Sequence, residues 1–178
     1  RQAVLQEKAD LGIIFDTDVD RAGAVLPNGE ELNRNRLIAL MSAILLRDHP
    51  GTAIVTDSVT STGLAQFIAQ QGGVHHRFKR GYRNVINEAE RLCAAGQEAE
   101  MAIETSGHGA LRENYFLDDG AYLMVKLLIE LARARKEGRT LESLLAGACG
   151  EPGIPHGAQR GGLRRLRQRG DFRACGIC

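Results

Sequence analysis

Short β-rich runs alternate with amphipathic helical stretches along this chain, and that alternation most narrows the folds open to it. Residues 52–56 (Thr-Ala-Ile-Val-Thr), 74–78 and 99–104 have the length and apolar content of strands. A helix is predicted from about Arg34, with Asn33 as its N-cap and Leu37, Ile38, Met41, Ile44 and Leu45 on its apolar face. Asp48-His49-Pro50-Gly51 stops it. Ser61 or Thr62 caps a second helix that turns Leu64, Phe67 and Ile68 inward before Gly72-Gly73. Residues 84–95 read as a third, ended by Gly96. Asp119 opens a long helix through Leu123, Leu127, Leu128 and Leu131 to about Lys136, and residues 140–148 form a short last one. Strands and helices at this spacing predict an α/β fold, a layered and largely parallel sheet with helices on both faces.

Upstream of this unit stands Leu11-Gly12-Ile13-Ile14-Phe15, a short apolar run expected to be a buried strand. It ends in Asp16-Thr17-Asp18-Val19-Asp20-Arg21. Three carboxylates at alternate positions repel one another, and a hard divalent cation relieves that repulsion by taking an oxygen from each, which points to Mg²⁺. The neighbouring Arg21 offers a planar cationic fork suited to phosphate or carboxylate. An EF-hand is excluded. Counted from Asp16, its sixth and twelfth positions hold Arg21 and Pro27, where glycine and glutamate are required. A solvated turn and a haloacid-dehalogenase-like phosphatase, with Asp16 as nucleophile and Asp18 as acid, remain alternatives. Residues 22–26 are a second short strand and Pro27-Asn28-Gly29 a turn.

Two further loops follow predicted strands. Lys79-Arg80-Gly81-Tyr82-Arg83 sets three cations around a glycine, and Glu104-Thr105-Ser106-Gly107-His108-Gly109 combines a carboxylate, hydroxyls and an imidazole. Cations hold phosphate, and a carboxylate with a hydroxyl holds sugar hydroxyls. Strand exits on one rim of an open α/β sheet are where ligands bind, so the three loops together suit a phosphorylated, hydroxyl-rich small molecule.

Composition bounds the rest. The chain has 178 residues, 43% hydrophobic and 25% charged, which suits one good-sized domain or one domain plus part of another. Trp is absent and aromatics are scarce, which argues against a base-stacking platform for nucleic acid. No apolar run approaches membrane-spanning length. The net charge is +1, yet residues 151–178 hold six arginines against Glu151 and Asp171, so the tail carries +4 and the body −3. That Gly/Arg-rich tail is expected to be disordered or frame-shifted. Cys93 and Cys149 stand alone and Cys175-x-x-Cys178 has no second pair, a usage that fits a reducing, cytoplasmic setting.

With these residues in hand, the chain resembles the α-D-phosphohexomutases, the phosphoglucomutase and phosphomannomutase family. Residues 16–21 resemble the family's metal loop, usually D-G-D-G-D-R, with Thr17 and Val19 in place of both glycines. Residues 104–109 resemble its sugar-binding loop, usually G-E-x-S-G-H, and the loop at residues 79–83 stands between the two as the family's basic loop does. The resemblance implies that Asp16, Asp18 and Asp20 bind Mg²⁺ and that Arg21 lies beside the transferred phosphoryl group. It also implies that Glu104 and Ser106, with Arg83, Lys79 and His108, contact a hexose phosphate, and that Lys79 and His108 help move the proton of the attacking hydroxyl. The implied reaction moves phosphate between O1 and O6 of a hexose through a bisphosphorylated intermediate. The implied division is residues 1–31 as the end of a metal-binding domain, 32–150 as a sugar-binding domain, and 151–178 as a tail. The family's phosphoserine loop, S-H-N-P, has no counterpart around Ser42, Ser58, Ser61, Ser106 or Ser143. The chain is therefore expected to be a fragment that binds without turning over. A non-catalytic sugar-phosphate-binding module is the remaining alternative.

Overall fold

The computed structural model describes residues 1–32 and 34–146. The proposed cap Asn33, the basic tail, and Cys149, Cys175 and Cys178 lie outside the described residues. The element order is α1 (Gln2–Glu7), β1 (Gly12–Phe15), β2 (Ala22–Val25), β3 (Glu31–Leu32), α2 (Arg34–Asp48), β4 (Ala53–Asp57), α3 (Thr62–Gln70), β5 (Val74–Phe78), α4 (Tyr82–Ala94), β6 (Ala99–Ile103), β7 (Gly109–Leu111), α5 (Gly120–Lys136) and α6 (Leu141–Leu144).

The α/β expectation holds. The main sheet runs β5-β4-β6-β7, with β4 parallel to both β5 and β6. Only β7 runs antiparallel, because it returns directly from β6 through the tight loop at residues 104–108. Every residue of β4 and β6 is buried. Apolar side chains alternate between two clusters on the sheet's two faces. Ile54, Met101 and Ile103 join α2, α3 and α5 in the larger one, while Ala53, Val55, Ala99 and Ala102 meet Val85, Ala89 and Leu92 of α4 in the smaller. The pairing of β4 with β6 slips by one residue between Ala53 and Ile54. The extra residue is Glu100, whose N–H donates to Thr52 Oγ1 at 3.0 Å, so the irregularity leaves no orphaned donor.

Helix α2 is buried on more sides than one apolar stripe predicts. Ala39, Leu40 and Leu46 are covered along with the expected residues, because α3, α5 and α6 all pack around it. Residue Leu128 of α5 departs from expectation the other way. It stands exposed beside Val125 and Ile129, while Leu123, Met124 and Leu127 turn inward. Asp119 does cap α5, accepting from Tyr122 N at 2.9 Å, and Ser61 caps α3, accepting from Leu64 N at 3.1 Å.

The acid loop is mounted differently from the expectation. Strands β1, β2 and β3 form a separate antiparallel sheet, so residues 16–21 connect a β-hairpin rather than lead out of a parallel strand. Nor is β1 buried: Ile14 is 56% and Phe15 40% exposed. Ile14 and Phe15 are adjacent and so face opposite sides of the strand, which leaves neither face fully covered at this end of β1. The Asn28-Gly29 turn is as expected, with Asn28 Oδ1 accepting from Glu30 N at 2.9 Å and Gly29 at φ +81°.

One buried and one half-buried polar group brace this frame, neither evident from periodicity. Glu130 on α5 is 1% exposed and accepts both hydrogen bonds of Arg47 Nη1 from α2, at 2.9 and 3.0 Å. Arg47 is partly exposed, so the two charges are unequal in cost: the arginine can hydrate alone, whereas the carboxylate would keep only Arg133 Nη1, at 3.6 Å and without a hydrogen bond. Arg47→Met should therefore lower stability by about 3 kcal/mol in urea unfolding, and Glu130→Gln by clearly less. On β5, His75 Nε2 lies 2.7 Å from Thr56 Oγ1. Burial, followed by the nearby Arg77 and His76, lowers its imidazole from 6.5 to about 4. Between those values the unfolded chain takes up a proton that the folded chain refuses, so stability falls as pH drops through that window. Unfolding midpoints measured at pH 7 and pH 4.5 should converge in His75→Gln relative to the parent.

Candidate functional site

The parallel strands β4, β5 and β6 all end at one rim, where Asp57, Phe78 and Ile103 stand at the last paired positions. The loops after β5 and β6 are the basic loop and the hydroxyl-bearing loop at residues 104–109 that the sequence singles out as candidates. A carboxylate ties them together. Glu104 is 5% exposed, and its Oε1 accepts from Gly81 N at 2.5 Å while Oε2 accepts from Ser106 Oγ at 2.9 Å. The backbone closes the same loop, with Glu104 N donating to His108 O at 2.9 Å and Gly107 N to Glu104 O at 3.1 Å.

The hairpin brings its acids to this rim through backbone contacts. Arg21 and His108 form a β-bridge, and Ala22 N donates to Gly107 O at 3.3 Å. Gly107 has φ +104°, and a Cβ there would stand 3.0 Å from Ala22 O, so only glycine fits both the turn and the approach. On the other side, Gly120 N at the start of α5 donates to Val19 O at 3.1 Å. A Cβ on Gly120 would lie 2.8 Å from that same oxygen. The acid loop is thus seated between the hydroxyl-bearing loop and the α5 terminus.

Asp16, Asp18 and Asp20 each offer a carboxylate oxygen, and these oxygens lie within 4.8 Å of one another. Asp20 Oδ1 is buried without a hydrogen-bond partner. An all-oxygen donor set with one orphaned acceptor fits a hard divalent cation such as Mg²⁺. Arg21 folds back over the cluster. Its Nε donates to Asp16 Oδ2 at 2.6 Å and its backbone N to Asp16 Oδ1 at 3.3 Å. Burial works to raise the Asp16 carboxyl, but these bonds from Arg21 outweigh it and hold the group below its ordinary value. Asp16 in turn raises the Arg21 guanidinium.

His108, at the crossing of the loops, is fixed by three groups. Its Nδ1 lies 2.7 Å from Asp118 Oδ2 and 3.6 Å from Asp20 Oδ2, and its ring stacks on Tyr82 at a centroid distance of 4.7 Å. Asp118 Oδ1 also accepts from Gly109 N at 3.2 Å. Burial raises the Asp118 carboxyl above its usual value, although His108 beside it acts in the opposite direction. Sequence patterns do not single out Asp118, Tyr82, Gly107 or Gly120 as site residues. The Asp118-Asp119 pair signals only a helix start, and no periodicity marks which of two adjacent acids caps and which turns away.

The remaining candidates are less tightly joined. Lys79 is exposed, with its ammonium 5.9 Å from the Phe78 ring centroid. Arg83 donates to Tyr82 Oη at 3.0 Å and so meets the site through the ring stacked on His108. Ser106 is exposed at the loop's tip. Behind the loop, Thr105 Oγ1 donates to Asp57 Oδ2 at 2.7 Å, while Asp57 Oδ1 stays buried and unpartnered.

Val19 has φ +66°, a region that β-branched residues rarely enter. It occupies one of the two loop positions where the D-G-D-G-D-R pattern has glycine. The Asp16–Arg21 and Val19–Gly120 bonds hold the strained turn closed. Val19→Gly should therefore raise the thermal midpoint by the equivalent of about 1 kcal/mol, whereas Val25→Gly in β2 should lower it.

Known proteins resemble this chain over most of its length. Residues 33–149 match the family model described as phosphoglucomutase/phosphomannomutase, alpha/beta/alpha domain III. The phosphomannomutase/phosphoglucomutase of Pseudomonas syringae pv. tomato is 33% identical over 126 residues, covering 70% of this chain and 26% of that protein. That of Pseudomonas aeruginosa PAO1 is 30% identical over 152 residues, 85% of this chain and 32% of that protein. Among solved structures, a phosphoglucomutase/phosphomannomutase family protein from Burkholderia thailandensis superposes with a TM-score of 0.70 at 30% identity, covering 86% of this chain and 32% of that one. The chain spans about a third or less of the length of these relatives.

Proposed function

The chain belongs to the phosphoglucomutase/phosphomannomutase family, and we propose that it carries the metal loop and sugar-recognition loop of a phosphohexomutase. The complete enzyme would move phosphate between O1 and O6 of a hexose. The observation that carries this reading is the convergence at His108: an acid cluster, a hydroxyl-bearing loop and the basic loop's Gly81-Tyr82 meet through direct contacts. Residues 1–31 then belong to the end of a metal-binding domain and 32–150 to the sugar-binding domain.

In this reading Asp16, Asp18 and Asp20 hold Mg²⁺, which when bound offsets charge on the transferring phosphoryl group. Arg21 screens Asp16 and, once a phosphorylated ligand arrives, offers the free side of its guanidinium to phosphate oxygens. Ser106 accepts or donates to a sugar hydroxyl, and Glu104 holds both Ser106 and the basic loop in place for that contact. His108 and Lys79 are the groups that exchange a proton with the attacking hydroxyl, and Arg83 adds positive charge at the entrance. The phosphatase alternative asks Asp16 to attack. Both of its oxygens are engaged by Arg21, which suits a held ligand-binding carboxylate better than a free nucleophile. With no counterpart of the phosphoserine loop, the chain alone binds hexose phosphate without turnover. Among the described residues no helix is long and apolar enough to cross a membrane. The isolated cysteines Cys93 and Cys149 support a reducing, cytoplasmic setting.

Calorimetric titration of the purified chain with MgCl₂ and then glucose 1-phosphate, run beside a phosphate-release assay, tests this. The expected outcome is Mg²⁺-dependent binding with no release, and at least a tenfold loss of Mg²⁺ affinity in Asp18→Asn. Release that disappears in Asp16→Asn would make the protein a phosphatase, and a folded chain that binds neither would overturn the reading.

A further inference from the structure

An imidazole has two nitrogens, and which of them carries the proton of the neutral ring depends on what the other groups around it can accept or donate. His108 has all its polar protein contacts on one side. Nδ1 faces Asp118 Oδ2 at 2.7 Å and, further off, Asp20 Oδ2 at 3.6 Å, while Nε2 has no protein partner among the described residues. Turning the ring over about Cβ–Cγ would put Cδ2 where Nδ1 stands, and Tyr82, flat against the ring with 17° between the planes, opposes that turn. Asp118 itself is constrained. Its other oxygen accepts from Gly109 N at 3.2 Å, and the residue forms a β-bridge with Ala110. A backbone N–H can only donate, so this contact fixes which oxygen is left for the imidazole.

We propose that Asp118 is a positioning residue: through its 2.7 Å contact it holds neutral His108 as the Nδ1–H tautomer and keeps Nε2 as a lone pair for a ligand hydroxyl. This rests on the mutase reading for the identity of that ligand, but the tautomer itself does not. The acceptor must be Asp118 rather than Asp20. Asp20 lies within reach of His108 and Asp118 as well as of the acid loop, but its oxygen stands 3.6 Å from Nδ1, beyond hydrogen-bond distance, whereas that of Asp118 is nearer by almost 1 Å. A carboxylate at this point also stabilises positive charge on the ring if Nε2 takes up a proton from a ligand hydroxyl.

The isosteric substitution Asp118→Asn makes the inference sharp. Asparagine has a single oxygen. The fixed Gly109 N–H claims it, so the amide NH₂ must face His108 Nδ1, which then has to accept, and the ring switches to Nε2–H. Long-range ¹H–¹⁵N correlation spectra of the labelled chain read the tautomer directly, with His108 assigned by loss of its signals in His108→Gln. Spectra are recorded at rising pH until the ring shows the pattern of a neutral imidazole. The parent chain should show Nδ1–H and Asp118→Asn should show Nε2–H, with the His75 and His76 signals unchanged as a control for the fold. An Nε2–H ring in the parent, or the same tautomer in both proteins, would overturn the inference. Should the variant not fold, the parent spectrum alone still decides. A chain with the Nδ1–H ring that fails to bind glucose 1-phosphate would retain the role of Asp118 and sink only the mutase reading, so the two failures are separable.

Discussion

The seating of the loop at residues 104–109 is the constraint on which the rest of the site depends. Nothing within the loop fixes it in space. Its position comes from the Ala22–Gly107 backbone bond, the Asp118 carboxylate, the Thr105–Asp57 bond and the Glu104–Gly81 bond, which reach it from four different parts of the chain. Each bond is worth about 1 kcal/mol net, more where a charged group takes part. Their common effect is geometric, because they leave the loop one conformation. Side chains placed this way would need no reordering to meet a ligand.

The cost of this arrangement is visible in the same residues. Asp57 keeps one buried oxygen unpartnered, Asp20 does likewise, Val19 is held in a left-handed conformation, and three aspartates crowd a single hairpin loop. Such features are expected where a protein trades stability for a preformed site. The frame that supports them is ordinary by comparison. A sheet with β4 and β6 wholly buried and a central helix α2 covered by its neighbours supplies the apolar burial, and the Arg47–Glu130 pair locks α2 to α5.

Much of this frame is legible in the amino-acid order alone. Strands 53–57, 74–78 and 99–103 follow from short apolar or β-rich runs, and the helices between them from a period of 3.6, because burial on one side of a helix writes itself into residue spacing. The acid, basic and hydroxyl-bearing loops are legible because their polar residue types stand out directly after the apolar runs they follow. Less legible is the mounting of the acid loop. A run such as Leu11-Gly-Ile-Ile-Phe15 looks alike in a buried parallel strand and in the edge of a hairpin, and only its lack of a partner on one side distinguishes them. The exposure of Leu128 is hidden for a similar reason, since a helix pattern does not say how wide a stripe its neighbours will cover.

The sequence by itself determined the fold class, the family resemblance and the residue types at the rim, since these depend on local spacing and on chemistry carried by single side chains. Only the tertiary structure decided which of those residues meet. Asp118 stands ten residues from His108 and 98 from Asp20, yet its carboxylate and the Tyr82 ring define the environment of that imidazole. No local rule encodes such a meeting. It follows from where β6 ends and β7 and α5 begin once the sheet has closed its core, and from two glycines, Gly107 and Gly120, whose missing side chains let the hairpin come close.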